Sequence, residues 1–312
     1  MKGEIALGGG KEFDLIRAMR SRWGNRASGI GDDAAILEVP AGERLVVSTD
    51  ASIENVHFRR DWLTPEEIGY RAATSALSDL AAMAATPFAV LVALSMPEEW
   101  VPDLPAIADG IGEAASIVGA QIVGGDLTRA SELAIGVTVL GHAQNVLSRS
   151  GASVGDSVFV TGTFGGPASA VLAFEHGETP GTWARERFAR PQARIREARW
   201  LADHGARAAI DISDGLLADL AHIARASGVR ITVDLDALPV GEGMDAIRAA
   251  SGGEEYELAI AAPIGLEIET FTREFGLQLS RIGAIEAGDA RVDVTYRGDR
   301  VAPPVSWNHF SH

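Results

Sequence analysis

Between Leu45 and Phe58 three apolar residues, Leu45, Val46 and Val47, are followed by three consecutive oxygen-bearing side chains, Ser48, Thr49 and Asp50. The apolar triplet reads as the end of a strand, and the chain leaves it through a set of ligands suited to a hard cation. The arrangement recurs. Gly29-Ile30-Gly31-Asp32-Asp33 precedes it, Ser78-Asp79 lies in an apolar helical stretch, Gly124-Gly125-Asp126 follows Ile122-Val123, and Asp211-Ile212-Ser213-Asp214 follows Ala208-Ala209-Ile210. Singly, Asp33, Asp50, Asp126 and Asp211 each have a structural explanation as loop or cap residues. Together they stand at strand ends and helix starts, where open α/β sites form.

If several of these carboxylates met without a counter-ion, each like-charge pair would cost about 4 kcal/mol at ~4 Å and an effective dielectric near ~20. Divalent cations remove that cost. Mg²⁺ suits the donor type, because it takes oxygen ligands, keeps waters and bridges them to substrate phosphates. Zn²⁺ does not suit a chain with no cysteine and scattered histidines. The chemistry that uses Asp-held Mg²⁺ is phosphoryl transfer, in which catalysis is mostly positioning and charge neutralisation.

Other residues fit around this set. The only lysines are Lys2 and Lys11, and Gly8-Gly9-Gly10-Lys11 runs into Glu12 with no strand before it, so it is not a P-loop. Phosphate would be met by arginine, backbone N–H groups or the metal ions. Arg149 can approach a nucleotide phosphate or serve as a surface turn residue. His57, seven residues past Asp50, can contact a phosphate or acceptor group or serve as a structural hydrogen-bonding group. The turn Gly162-Thr163-Phe164-Gly165-Gly166 can bind phosphate, but tight strand-to-helix packing explains it equally well.

The elements that must position these residues alternate between strand and helix, giving an α/β or α+β fold of two layered domains. In the first half, Glu12–Met19 reads as an amphipathic helix, and Gly29–Leu37 and Leu45–Asp50 as strands around Pro40-Ala41-Gly42. Thr64-Pro65-Glu66-Glu67 is a helix start with a capping box, and that helix carries Asp79 to about Ala85. Phe88–Met96, Ala120–Val123 and Leu133–His142 read as strands, with a helix near Leu104–Val118. The texture changes across residues 148–156, and the domain boundary is placed at 146. In the second half Ser157–Thr161, Ala208–Ile212, Arg230–Leu235 and Glu257–Ala261 read as strands, and Arg190-Pro191 as the start of a helix through Leu201. Asp214 or Ser213 caps a helix ended by Gly228, and Val292–Tyr296 enters a late hairpin.

The 312 residues, 46% hydrophobic, suffice for two domains with cores. A net charge of −16 disfavours nucleic acid and anionic membrane as partners. The absence of cysteine removes disulfides and thiol catalysis. No signal segment or membrane-length apolar run is present, so a cytoplasmic location is expected.

Eight motifs, GIGDDAAIL, VVSTDASIENVHF, ALSDLAAM, IVGGDLTR, RSGASVGD, AIDISDGLLADLAHI, SGGEEYEL and WNHF, run in order from Gly29 to Phe310. In these the chain resembles the thiamine-monophosphate kinase family, in the superfamily of aminoimidazole ribonucleotide synthetase. The resemblance implies direct in-line transfer from ATP to thiamine monophosphate, giving thiamine diphosphate and ADP, with several Mg²⁺ ions. It implies an N-terminal domain, 1–146, that binds ATP and Mg²⁺ and pairs its sheet across a homodimer two-fold. A C-terminal α/β sandwich domain, 147–312, would complete the nucleotide and substrate site in the groove between domains. By motif position, Asp33, Ser48, Thr49, Asp50, Asp79, Asp126, Asp211 and Asp214 would hold metal, with Asp50, Asp79, Asp126 and Asp211 central to catalysis. Gly125, Asp126, Arg149 and Ser213 would contact ATP, and His57, Glu254 and Trp307 the thiamine substrate.

The family often has Gly-Gly-Asp-Asp-Tyr or Gly-Gly-Glu-Asp-Tyr where this chain has Gly253-Glu254-Glu255-Tyr256, so Glu254 carries more weight than Glu255. An aminoimidazole ribonucleotide synthetase-like enzyme is the nearest alternative, although its glycine-rich signature after the Ser-Thr-Asp turn is replaced here by Ser52–His57. A non-catalytic nucleotide or thiamine phosphate sensor on the same scaffold is the other.

Overall fold

Thr64 and Glu67 close the predicted capping box. The Glu67 carboxylate accepts from the Thr64 N–H (2.9 Å), and the Thr64 hydroxyl accepts from the Glu67 N–H (3.3 Å). The helix they start is one of the α-helices and strands in the first of two units seen in the computed structural model, which describes residues 10–30 and 34–302. In chain order these are α1 (Lys11–Trp23), β1 (Arg44–Ile53), α2 (Pro65–Ala82), β2 (Thr86–Met96), α3 (Leu104–Ile117), β3 (Gln121–Arg129) and β4 (Ala134–Ala143). The first unit takes the chain up to Leu80 and Ala85–Gln144; the second takes Ala81–Ala84 and the chain from Asn145.

The four strands form one sheet in the order β1-β4-β2-β3, with β2 and β3 parallel and the other pairs antiparallel. Val90, Val92, Leu94, Ile135, Val137 and Val139 are buried on one face. The helices meet closely because glycine stands at their crossing. A Cβ on Gly69 would lie 2.1 Å from the Ile107 carbonyl oxygen, and one on Gly110 1.9 Å from that of Glu66. The other face is more open, and Leu45 and Val47 are 51% and 54% exposed.

Several predicted boundaries move. Residues 34–40 form no strand, and Ile36 is exposed. β1 continues through Ser48, Thr49 and Asp50 to Ile53, because β4 pairs with it residue by residue from Arg44↔Ala143 to Ile53↔Ala134. Likewise β3 runs through Gly124-Gly125-Asp126 to Arg129, in register with β2. The acidic residues Asp50 and Asp126 therefore stand within edge strands and not in the turns after them.

The second unit contains β5 (Ser157–Thr161), α4 (Gly166–Glu175), α5 (Thr182–Ala189), α6 (Ile195–Asp203), β6 (Ala208–Asp211), α7 (Leu216–Ser227), β7 (Arg230–Asp234), α8 (Ala246–Ser251), β8 (Leu258–Ala262), α9 (Ile268–Phe275), β9 (Leu279–Glu286), β10 (Arg291–Tyr296) and β11 (Asp299–Val301). Seven strands form a mixed sheet in the order β11-β10-β7-β9-β5-β8-β6. Val158, Val160, Ile210, Leu216, Leu220, Ile223, Ile231 and Ile282 share its core.

The helix expected from Arg190-Pro191 begins instead at Ile195, and α5 precedes it. Arg194 just before α6 is drawn to the buried Glu257, which its guanidinium grips with two nitrogens. Gly228 ends α7 in the left-handed region, at φ 66°, as expected. Among the described residues no helix is long and apolar enough to cross a membrane.

Candidate functional site

In the first unit the strand alternation of β1 sorts the Ser48-Thr49-Asp50 triplet onto two faces. Ser48 and Asp50 pair with the buried Val139 and Val137, so they share the covered side of the sheet. There the Ser48 hydroxyl donates to Asp79 Oδ2 (2.5 Å), which joins the middle of β1 to the last turns of α2. Asp79 is half-buried on a face of small residues, Ala72, Ser75 and Ala76. The Thr49 side chain turns the other way, away from Ser48 and Asp50, and meets the Thr138 hydroxyl (3.0 Å).

Asp126 is exposed on β3, in register with Ala93. Gly125 beside it has a packing reason of its own, since a Cβ there would lie 1.9 Å from the Val92 carbonyl oxygen. His57 closes the turn that leaves β1. Its Nδ1 accepts the Ile53 N–H (3.1 Å), which puts the proton of the neutral ring on Nε2.

In the second unit β6 delivers Asp211, and the chain turns through Ile212-Ser213-Asp214-Gly215 into α7. Asp211 is buried, Asp214 half-buried and Ser213 exposed. Neither Ser213 nor Asp214 caps α7 with its side chain. The N–H groups of Ser213, Asp214 and Gly215 all donate instead to one oxygen of Asp219, at 3.1, 3.2 and 3.1 Å. Asp219 is 2% exposed. Its burial raises the carboxyl to about 7, with repulsion from Asp211 and Asp214 added and the N–H donors opposing.

Ligand atoms of Asp214, Asp219 and His222 lie within 4.8 Å of one another, the one such group of three His, Asp or Glu side chains among the described residues. Arg149, exposed, reaches the same helix; its carbonyl accepts from the Ser227 hydroxyl (2.8 Å) and its charge, after burial, helps lower the His222 pKa. Sequence reasoning misses Asp219 and His222. The available signal is a carboxylate inside the apolar run Leu216, Leu217, Leu220, Ile223, where only a buried hydrogen-bonding role accommodates it.

The segment before β8 packs against this turn. Glu254 N–H donates to the Ser213 carbonyl (2.8 Å) and Tyr256 N–H to that of Ile212 (2.9 Å). Glu254 and Tyr256 both take positive φ, 64° and 52°. Glu255 between them points inward and is fully buried; it accepts the Gly165 N–H (2.5 Å) and faces Arg187 at 3.6 Å. Burial pushes the Glu255 carboxyl up to about 8, against the pull of Arg187 and Gly165. Its neighbour Glu257 goes the other way: Arg194, Arg187 and Thr161 hold it below the usual carboxylate range in spite of complete burial. Asp33 and Trp307 lie outside the described residues.

Residues 31–143 match the N-terminal domain, and 153–295 the C-terminal domain, of AIR synthase related protein. With both domains matched, the chain is a member of the AIR synthase-related class. Among curated relatives, the thiamine-monophosphate kinase of Salmonella typhimurium is 39% identical over 265 residues, 80% of each chain. That of Pyrococcus horikoshii is 35% identical over 308 residues, 96% of each chain. The crystal structure of thiamine-monophosphate kinase from Stenotrophomonas maltophilia superposes with a TM-score of 0.82 at 36% identity, covering 93% of this chain and 98% of that one. AaThiL complexed with AMPPCP and TMP gives 0.76 at 31% identity, covering 96% and 97%. The chain belongs to the thiamine-monophosphate kinase family. The hydrogenase maturation protein HypE, at a TM-score of 0.80 but 20% identity, shares the fold.

Proposed function

We propose that the protein transfers the γ-phosphoryl group of ATP to thiamine monophosphate, giving thiamine diphosphate and ADP in one Mg²⁺-dependent, in-line step. The observation that carries this reading is the Ser48–Asp79 contact on the face that also holds Asp50, a set of hydroxyl and carboxylate oxygens in a family member. The donors fit Mg²⁺, because they are all oxygen and include no sulfur. Ser48, Asp50, Asp79, Asp126 and the Thr49 carbonyl would hold it in the first unit, and Asp211 and Asp214 would hold metal in the second. When bound, the metal neutralises the phosphates and orients them for displacement.

The chain's own residues have simple tasks. Ser213, Gly125 and Arg149 contact the nucleotide, Arg149 supplying a charge matched to phosphate. His57 contacts the substrate, and Glu254, held against Ser213 by its own N–H, takes the thiamine side. The accepting phosphate oxygen is already anionic and needs no strong base, which agrees with a chain that has no cysteine nucleophile. The half-open sheet face with Leu45 and Val47 is the surface through which two copies would pair as a homodimer.

The test is a coupled assay with ATP, Mg²⁺ and thiamine monophosphate that follows ADP and thiamine diphosphate together, with an EDTA control. Equal, metal-dependent formation of both products is expected. Binding of both substrates without product would leave a sensor, and no binding of thiamine monophosphate would turn attention to the synthetase-like alternative.

A further inference from the structure

The turn that carries Ser213 and Asp214 is fixed from both sides. Its carbonyl side is held by the segment before β8, through Glu254 N–H to Ser213 O and Tyr256 N–H to Ile212 O. Two glycines allow that approach. A Cβ on Gly253 would stand 2.4 Å from the Ser213 carbonyl oxygen, and one on Gly215, at φ 120°, would stand 2.9 Å from that of Ser251. Its N–H side is held by a single atom, Asp219 Oδ2, which accepts from residues 213, 214 and 215 together.

This is not an ordinary helix cap. A capping side chain stands at the N-cap and serves N–H groups of the first helical turn. Here the carboxylate stands inside α7 and reaches back to three N–H groups that precede Leu216, the first helical residue. What it shapes is the turn and not the helix. A buried acceptor with three convergent donors is a rigid anchor, since removing it would leave three backbone N–H groups without their partner.

We propose that Asp219 is a positioning residue for the nucleotide: it holds the Ser213-Asp214-Gly215 backbone in the one shape that presents Ser213 and Asp214 to the nucleotide and its metal. The inference rests on the kinase reading for the identity of that ligand. It does not place Asp219 on the substrate.

Asp219→Asn keeps the size and one acceptor oxygen but removes the charge; Asp219→Ala removes the anchor. Calorimetric titration with AMPPCP and Mg²⁺ reads the effect apart from turnover. Affinity is expected to fall about tenfold in Asp219→Asn and about a hundredfold in Asp219→Ala, with a clearly smaller loss for thiamine monophosphate, whose contact Glu254 leans on the same turn through one N–H. Circular dichroism should show both variants folded; if Asp219→Ala does not fold, Asp219→Asn carries the test. A folded Asp219→Asn that binds AMPPCP as the wild type does would overturn the proposal, as would parallel loss of both ligands or failure of both variants to fold. Wild-type protein that binds AMPPCP yet forms no thiamine diphosphate refutes the kinase reading instead, and the calorimetric comparison still decides the role of Asp219.

Discussion

Replacing Glu255 by Gln should change how stability depends on pH. Glu255 is fully buried between Gly165 and Arg187, and its carboxyl is raised from 4.5 to about 8. The folded state therefore keeps the proton across a range in which the unfolded chain has released it. The stability this confers is complete below pH ~4.5 and is lost as pH rises through about 8, about 5 kcal/mol in all. Gln cannot ionise, so the variant lacks that slope while its amide oxygen can still accept the Gly165 N–H. Between pH ~5.5 and ~7.5 the wild type should lose about 3 kcal/mol that the variant keeps. Other titrating groups cancel in the difference between the two proteins. Calorimetric melting of both at the two pH values should show the variant's midpoint rising relative to wild type by roughly 6–12 °C. A difference that does not move with pH, or that moves the other way, would mean Glu255 is ionised against Arg187 and would refute the reasoning.

Four further outcomes follow from particular contacts. Asp50→Asn should lower turnover by about a hundredfold or more while circular dichroism stays unchanged, since it removes a charge from the Ser48–Asp79 face and nothing from the core. Thr64→Ala should cost about 1 kcal/mol by chemical denaturation, the worth of one side of the capping box. Gly110→Ala should destabilise the first unit by about 3 kcal/mol or more, because its Cβ would stand 1.9 Å from the Glu66 carbonyl oxygen; lost soluble yield or a lower melting point checks it. Val47→Asp, a charge on the half-open sheet face, should convert a dimer to a monomer by light scattering, and an unchanged mass would remove that face as the interface.

Local signals were the legible ones. The Thr64–Glu67 box and the Gly228 stop depend on residues a few positions apart, and both stand where the sequence puts them. Strand limits depend on partners far along the chain. Ser48-Thr49-Asp50 looked like an exit from a strand because polar residues accumulate there, yet β4 pairs across the whole triplet, and as an edge strand β1 tolerates them. The same alternation that makes β1 a strand sends Thr49 to the face opposite Ser48 and Asp50. Pro191 looked like a helix start because proline suits the first helical position, but the pull of Glu257 on Arg194 keeps residues 191–194 out of the helix. Asp219 could not be ranked from sequence, since its value lies in three N–H groups that converge only once the turn before α7 has formed. Glu254 and Glu255 are adjacent in sequence but differ in surroundings: Glu254 is half-buried, while Glu255 faces inward and ties this segment to Arg187 and Gly165.

The central claim is the destination of one phosphoryl group, and it is tested most directly by labelling the γ-phosphate of ATP. With Mg²⁺ and thiamine monophosphate, all of the transferred label should appear in thiamine diphosphate, with none on the protein, none as free phosphate, and no transfer in EDTA. Label released as inorganic phosphate, or retained on the protein, would contradict direct transfer to thiamine monophosphate.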